Sequence, residues 1–151
     1  LEQLKQYFRL DEFVEQSSFV KLFTLESTLL IPREFCITAK IGPWIYADSA
    51  HIGVRVVNLP WIKELTADFP ITSTSLNFSG NESISTRDQA YQFWQDNCPE
   101  CSFIEPSSDF LGSKVASTII KFDIKSESDL KCVSITREGK RVSEIKKLLG
   151  L

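Results

Sequence analysis

The chain has 151 residues and a mass of 17.2 kDa, with 17 basic against 20 acidic side chains, a net charge of −3 and a pI near 5.2. That length allows one sizeable hydrophobic core. The acidic balance excludes a generally basic nucleic-acid coat but leaves room for a local basic cavity. At 42% hydrophobic and 25% charged residues, the composition is that of a globular domain rather than a disordered chain. No apolar run nears the roughly 18 residues of a membrane helix, and no basic-then-apolar leader opens the chain. A cytoplasmic protein without a membrane partner is the expectation. The chain begins with Leu1 and contains no methionine, so either a front segment is absent or methionines have been left out.

In chain order, Leu1, Leu4, Tyr7 and Phe8 recur at helical spacing. A second helix follows Asp11, a candidate N-cap, through Phe13, Val14, Phe19, Val20, Leu22 and Phe23. Thr28–Ile31, closed by Pro32, and Phe35–Ala39 read as strands. Gly42-Pro43 breaks the chain and leaves Trp44 and Tyr46 in a loop or short strand. Ile52–Val57 is the clearest strand, with Arg55 interrupting an apolar stretch. Pro60 opens a short helix through Trp61, Ile62 and Leu65, at a position where its missing N–H costs nothing.

Pro70 then introduces Ile71 and a run rich in hydroxyls, Thr72–Gly80. Thr86 and Asp88 open a helix carrying Ala90, Tyr91, Phe93 and Trp94. Residues 97–114 read as a loop around one short strand, Ser102–Ile104. Ala116–Asp123 and Lys131–Thr136 are strands, and Val142–Leu149 is a closing helix capped by Gly150. Strands in the middle and helices at the ends and crossovers predict a single α/β domain on one mixed sheet.

Cys98-Pro99-Glu100-Cys101 has the spacing of half a zinc site or of a redox pair, but Cys36 and Cys132 are solitary. A turn beside Pro99 is the plain alternative, and no protein-held metal is expected. The single histidine, His51, has no partner at metal-ligand or triad spacing.

The hydroxyl run admits two readings. Ser, Thr and Asn bond their own backbone in turns and caps, and the same groups with backbone N–H donors can cradle phosphate or carboxylate oxygens. Neither a P-loop nor a Rossmann fingerprint accompanies it. Pro70-Ile71-Thr72-Ser73-Thr74-Ser75-Leu76-Asn77-Phe78-Ser79-Gly80 closely resembles the "P-(I/L)-x-S-T-S-A-N-x-S-G" motif of the YrdC-like family, the threonylcarbamoyl-AMP synthases. Three further segments agree in order. Gly53-Val54-Arg55 resembles that family's "G-V-R-x-P", Ser117-Thr118-Ile119-Ile120 its "S-T-(I/V)-(I/V)", and Ile135–Gly139 its "(I/L)-x-R-x-G". The resemblance runs from about residue 20 to the end, closing helix included.

The resemblance implies a YrdC-like twisted open mixed sheet flanked by helices, with a deep, positively lined cavity. It implies synthesis of threonylcarbamoyl-adenylate from L-threonine, bicarbonate and ATP, with Mg2+ and release of pyrophosphate. The product would then serve the t6A transferase machinery at adenosine 37 of transfer RNA. By motif, Asn77, Ser85 and Arg137 would contact the nucleotide, and Arg55, Ser75 and Ser117 the threonine part. No side chain need act as nucleophile, so rate would come from positioning and charge stabilisation. Arg55 would be a guanidinium fork for a carboxylate; the alternative is an edge-strand arginine facing water.

The sequence also departs from the family. The opening "P-T-(D/E)-T-x-Y-G-L" strand and the "K-x-R" motif have no counterpart, Val57 replaces the proline of "R-x-P", and Leu76 the alanine of "S-A-N". A core without those first strands would expose apolar surface, which predicts a partner chain or a homodimer. A second reading is therefore a nucleotide- or double-stranded-RNA-binding module without synthase activity. A third, the carbamoyl-adenylate chemistry of hydrogenase maturation, comes with further domains for which 151 residues leave no room.

Overall fold

The computed structural model describes residues 2–9, 17–37, 40–46, 48–105, 115–123 and 132–151. The chain falls into two compact units, Leu1–Pro70 with Val115–Leu151, and Ile71–Lys114. The first unit carries a four-stranded sheet, β1 (Thr28–Pro32), β2 (His51–Arg55), β3 (Ile119–Asp123) and β4 (Cys132–Arg137), in the order β2-β1-β3-β4. β1 runs antiparallel to β2 and parallel to β3, while β3 and β4 are antiparallel. This is the mixed open α/β sheet expected from sequence.

Alternation along the strands separates two faces. Leu29 and Ile31 of β1, Ile52 and Val54 of β2, and Ile120 and Phe122 of β3 are buried. They join Leu22 and Phe23 of α2 (Ser17–Thr24) and Ile145 of α6 (Val142–Leu149) in one core. α6 presents Ile145 with Leu148 and Leu149 at helical spacing and ends at Gly150 in the left-handed conformation, as the sequence predicts. Ile145 is fully buried, so Ile145→Ala is expected to cost about 2–5 kcal/mol through lost transfer energy and a residual cavity. Equilibrium urea unfolding would show this as a lower midpoint at an unchanged slope.

α1 (Glu2–Lys5) and α4 (Pro60–Leu65) also belong to this unit, tied by Gln3 Nε2 donating to the Thr66 carbonyl at 2.8 Å. Two expectations fail here. Of the expected strand Phe35–Ala39, Thr38 and Ala39 lie outside the described residues, and the rest is not a strand: Arg33–Phe35 is a 3-10 turn followed by Cys36, which makes one isolated bridge to Phe8. Phe35 and Cys36 are both buried, so the apolar run is spent on side chains packing inward, not on extended pairing. Trp44 and Tyr46 lie in a one-turn helix, α3 (Pro43–Tyr46), which buries Tyr46 and leaves Trp44 74% exposed. Pro43 at its start is compatible with a first helical turn. The predicted cap Asp11, with Phe13 and Val14, lies outside the described residues.

The second unit carries α5 (Arg87–Asn97), N-capped by Thr86 as predicted. Tyr91 and Trp94 of this helix pack with Phe103, with ring centroids 5.3–5.5 Å apart, and Phe93 packs on Phe78 at 5.1 Å. Ser102–Ile104, expected as a strand, is irregular. Phe103 is fastened by aromatic packing, with no neighbouring strand to pair with among the described residues.

Candidate functional site

The sheet register gathers one end of all four strands. Thr28 at the start of β1 lies opposite Arg55 at the end of β2 and beside Ile119 at the start of β3. Ile119 in turn lies opposite Arg137, the last residue of β4. These positions share the face turned away from Leu29, Val54 and Ile120, because directly paired residues point the same way.

A register shift between Ile119 and Ile120 brings Arg137 to that face. Ile120 pairs with Ile135, yet Ile119 pairs with Arg137, so Thr136 is an extra residue in β4. Strict alternation from Ile135 would point Arg137 toward the core. The bulge reverses it, in the way bulges re-aim side chains. Arg137 then donates from Nε and Nη2 to the Ser117 carbonyl at 3.2 and 2.9 Å, and from Nη2 to Ser117 Oγ at 3.3 Å. Ser117 Oγ also shares a hydrogen bond with Thr28 Oγ1 at 2.8 Å. The result is a guanidinium and two hydroxyls in one chain of contacts, with a second guanidinium, Arg55, on the other edge strand.

Beneath Arg137 the chain returns across the sheet at very close range. Thr118 is fully buried; its Oγ1 accepts from the Gly139 N–H at 3.1 Å and donates to the Lys140 carbonyl at 3.0 Å. Lys140 N–H bonds the Ala116 carbonyl at 2.8 Å. A Cβ on Gly139 would sit 2.2 Å from the Ala116 oxygen and 2.6 Å from the Ser117 carbonyl carbon. The glycine of the Arg137–Gly139 motif is therefore a close-approach residue, which holds Ser117 against Arg137.

Two charged groups here were not singled out from sequence. Lys140 Nζ pairs with Glu26 Oε2 at 2.9 Å, and Glu26 occupies the left-handed region at φ 55°. The Lys140 hydrogen bond holds the Glu26 carboxyl below the usual glutamate range against the opposing effect of burial, and the charges of Lys140, Arg55 and Arg141 add to it. A depressed carboxylate contributes stability above its unfolded pKa and loses it as pH falls through the lower folded value. Glu26→Gln is expected to narrow its stability gap to wild type as the pH drops from 7 to 3. The gap is under about 1 kcal/mol, because the pair is half-exposed and solvent-screened; thermal melts at the two pH values measure it. The signal available in sequence was only a Lys after a Gly turn.

Arg55 is exposed on an edge strand, and its guanidinium has no hydrogen bond or ion pair among the described residues beyond the reach of its charge to Glu26. That is the geometry of the water-facing alternative as well as of an open fork. In the second unit, Ser75 Oγ donates to Asn77 Oδ1, and Asn77 Nδ2 donates to the carbonyls of Phe78 and Asn81 at 2.9 and 3.0 Å. Gly80, at φ 86°, lets the chain turn back, and Ile84 N–H closes the loop on the Leu76 carbonyl at 2.9 Å. Thr72–Thr74 and Ser85 are exposed. The structure thus joins Ser75 to Asn77 in one unit and Ser117 to Arg137 in the other.

Among the described residues no group of three or more His, Cys, Asp or Glu side chains could hold a metal. His51 Nε2 lies 3.0 Å from the Phe122 carbonyl and 3.3 Å from Asp123, at the far end of the sheet from Arg55 and Arg137. Burial pushes the Cys36 thiol up to about 11, so it stays protonated. No helix among the described residues is long and apolar enough to cross a membrane.

No curated protein and no solved structure matches the chain. A family model described as Sua5_yciO_yrdC, telomere recombination, matches residues 1–139. The match takes in the first helices, which the motif resemblance leaves out, and stops short of α6. It includes the segments of Arg55, Ser75, Asn77, Ser85, Ser117 and Arg137, the six residues that the motifs single out. With nearly its whole length matched, the chain belongs to the Sua5/YciO/YrdC family.

Proposed function

We propose that the chain forms threonylcarbamoyl-adenylate from L-threonine, bicarbonate and ATP. The observation that carries this reading is the bulge in β4, which turns Arg137 onto the face of Thr28, Ser117 and Arg55. A sheet end with a guanidinium on each edge strand and hydroxyls between them suits two anions, a carboxylate and a phosphoryl group. Arg55 would take the threonine carboxylate, with Ser117 on its polar groups. Arg137 would face the nucleotide, and Mg2+ would enter bound to the phosphates of ATP.

The chemistry balances in two steps. The threonine amine adds to bicarbonate with loss of water, giving a carbamate. A carbamate oxygen then attacks the α-phosphorus of ATP, and the bond to the β-phosphoryl oxygen breaks to release pyrophosphate. Arg137 would stabilise charge on the α-phosphoryl oxygens as it builds, where a preorganised donor contributes most. The mixed anhydride would be consumed in acylating an adenosine of transfer RNA.

Pyrophosphate release from ATP, measured with L-threonine and bicarbonate each omitted in turn, tests the reading. Release that needs both supports the synthase. A rise in melting temperature with ATP, without pyrophosphate under any combination, replaces it with a nucleotide- or double-stranded-RNA-binding module. A ligand that binds only the folded state at a hundredfold excess over Kd raises stability by about 2.7 kcal/mol.

A further inference from the structure

Cys98 follows the last turn of α5, and its N–H bonds the Trp94 carbonyl at 3.0 Å. Pro99 and Glu100 form a turn, closed by Cys101 N–H on the Cys98 carbonyl at 3.0 Å. The outer Cα atoms of a β-turn lie within about 7 Å, which overlaps the roughly 4.4–6.8 Å that a disulfide spans. Proline suits the second position of such a turn. Trp94 Nε1 also donates to the Cys101 carbonyl at 2.7 Å, so the turn is tied to one tryptophan at both ends. Both cysteines are free thiols; Cys98 is half-buried and Cys101 is exposed. No third metal-ligating side chain joins them among the described residues. The synthase chemistry uses neither.

We propose that Cys98 and Cys101 are a redox-active dithiol, a modification site that exchanges with small-molecule disulfides. The exposed Cys101 thiolate attacks one sulfur of glutathione disulfide, expelling one glutathione thiolate and leaving a mixed disulfide. The Cys98 thiolate then attacks the Cys101 sulfur, expels the second glutathione and closes the turn. Two protein thiols are oxidised, one glutathione disulfide is reduced, and two protons leave with the thiolates. Burial, with Cys101 and Glu100 beside it, raises the Cys98 thiol above the ordinary range, so the closing step quickens as the pH is raised.

The full chain is incubated in glutathione redox buffers, quenched with acid, alkylated and digested with trypsin. Both cysteines fall in the peptide 88–114. The expected result is loss of two hydrogens from that peptide in the wild type, with Cys36 still alkylated after unfolding. Cys98→Ser is expected to stop at a glutathione adduct on Cys101, accumulating several-fold over wild type. Cys101→Ser should leave Cys98 largely unmodified. A stable glutathione adduct on wild-type Cys101, or two free thiols in fully oxidised buffer, overturns the proposal. So does bridging of either cysteine to another chain.

Discussion

Gly139→Ala is expected to cost more than about 3 kcal/mol, at or beyond the upper end of overpacking penalties. The new Cβ would stand 2.2 Å from the Ala116 oxygen and 2.6 Å from the Ser117 carbonyl carbon. Both neighbours are backbone, so neither can move aside by a change of rotamer. Opening the gap would stretch the bonds from Gly139 N–H to Thr118 Oγ1 and from Lys140 N–H to the Ala116 carbonyl. For a chain of this size 1 kcal/mol shifts the melting temperature by roughly 2–4 °C, so calorimetry should show a fall of roughly 6–12 °C or more. Gly150→Ala is the companion measurement. Gly150 has no neighbour within 4 Å of its would-be Cβ and carries only its φ of 71° as strain. It should cost about 1 kcal/mol, the usual penalty for a left-handed residue acquiring a Cβ. A mild Gly139→Ala would mean that the strand crossing is slack and does not hold Ser117 in place.

Arg137→Ala is expected to lower pyrophosphate release by about 10²–10³-fold in kcat, the loss typical of one transition-state donor. Arg137→Lys should recover little of it. Lysine keeps the charge but loses the planar fork that reaches the Ser117 carbonyl and hydroxyl together. Steady-state kinetics should place most of the loss in kcat rather than in KM if the guanidinium acts on the developing phosphoryl charge. Arg55→Ala serves as the contrast: loss of a carboxylate fork should raise KM for threonine more than it lowers kcat. Equal effects of both substitutions on threonine KM alone would remove Arg137 from the phosphoryl role. The fold should survive in each case, since both arginines are exposed at strand ends. Near-UV circular dichroism and melting temperature check that directly.

Where local chemistry decides local structure, the sequence was a sound guide. Thr86 caps α5, Gly150 ends α6, Pro60 opens α4, and four of the six expected strands form the sheet. The failures have a common cause. Phe35-Cys36 and Trp44-Ile45-Tyr46 are short apolar runs, and such runs look alike whether they lie in a strand, a 3-10 turn or one helical turn. Their neighbours decide: Phe8 bridges Cys36, and Tyr46 is buried with Arg33 stacked 4.3 Å over its ring. Ser102–Ile104 had β propensity but no adjacent strand among the described residues, and Phe103 was captured by Tyr91 and Trp94 instead. Propensity without a pairing partner does not make a strand.

The six residues singled out by motif divide in the same way. Ser75 and Asn77, two residues apart in a turn-forming run, meet through a local contact. By itself the sequence determined the α/β class and the caps, because each follows from local backbone and side-chain chemistry, whereas the close approach of Gly139 to Ala116 and Ser117 is made by the fold. The meeting of Thr28, Ser117 and Arg137, separated by about 90 and 20 residues, depends on a parallel β1–β3 register and a one-residue bulge. Periodicity alone points Arg137 at the core, for the side-chain period of a strand is two and an inserted residue flips every position beyond it. Only the tertiary structure could decide that flip, because the bulge is a property of the β3–β4 pairing and not of either strand alone.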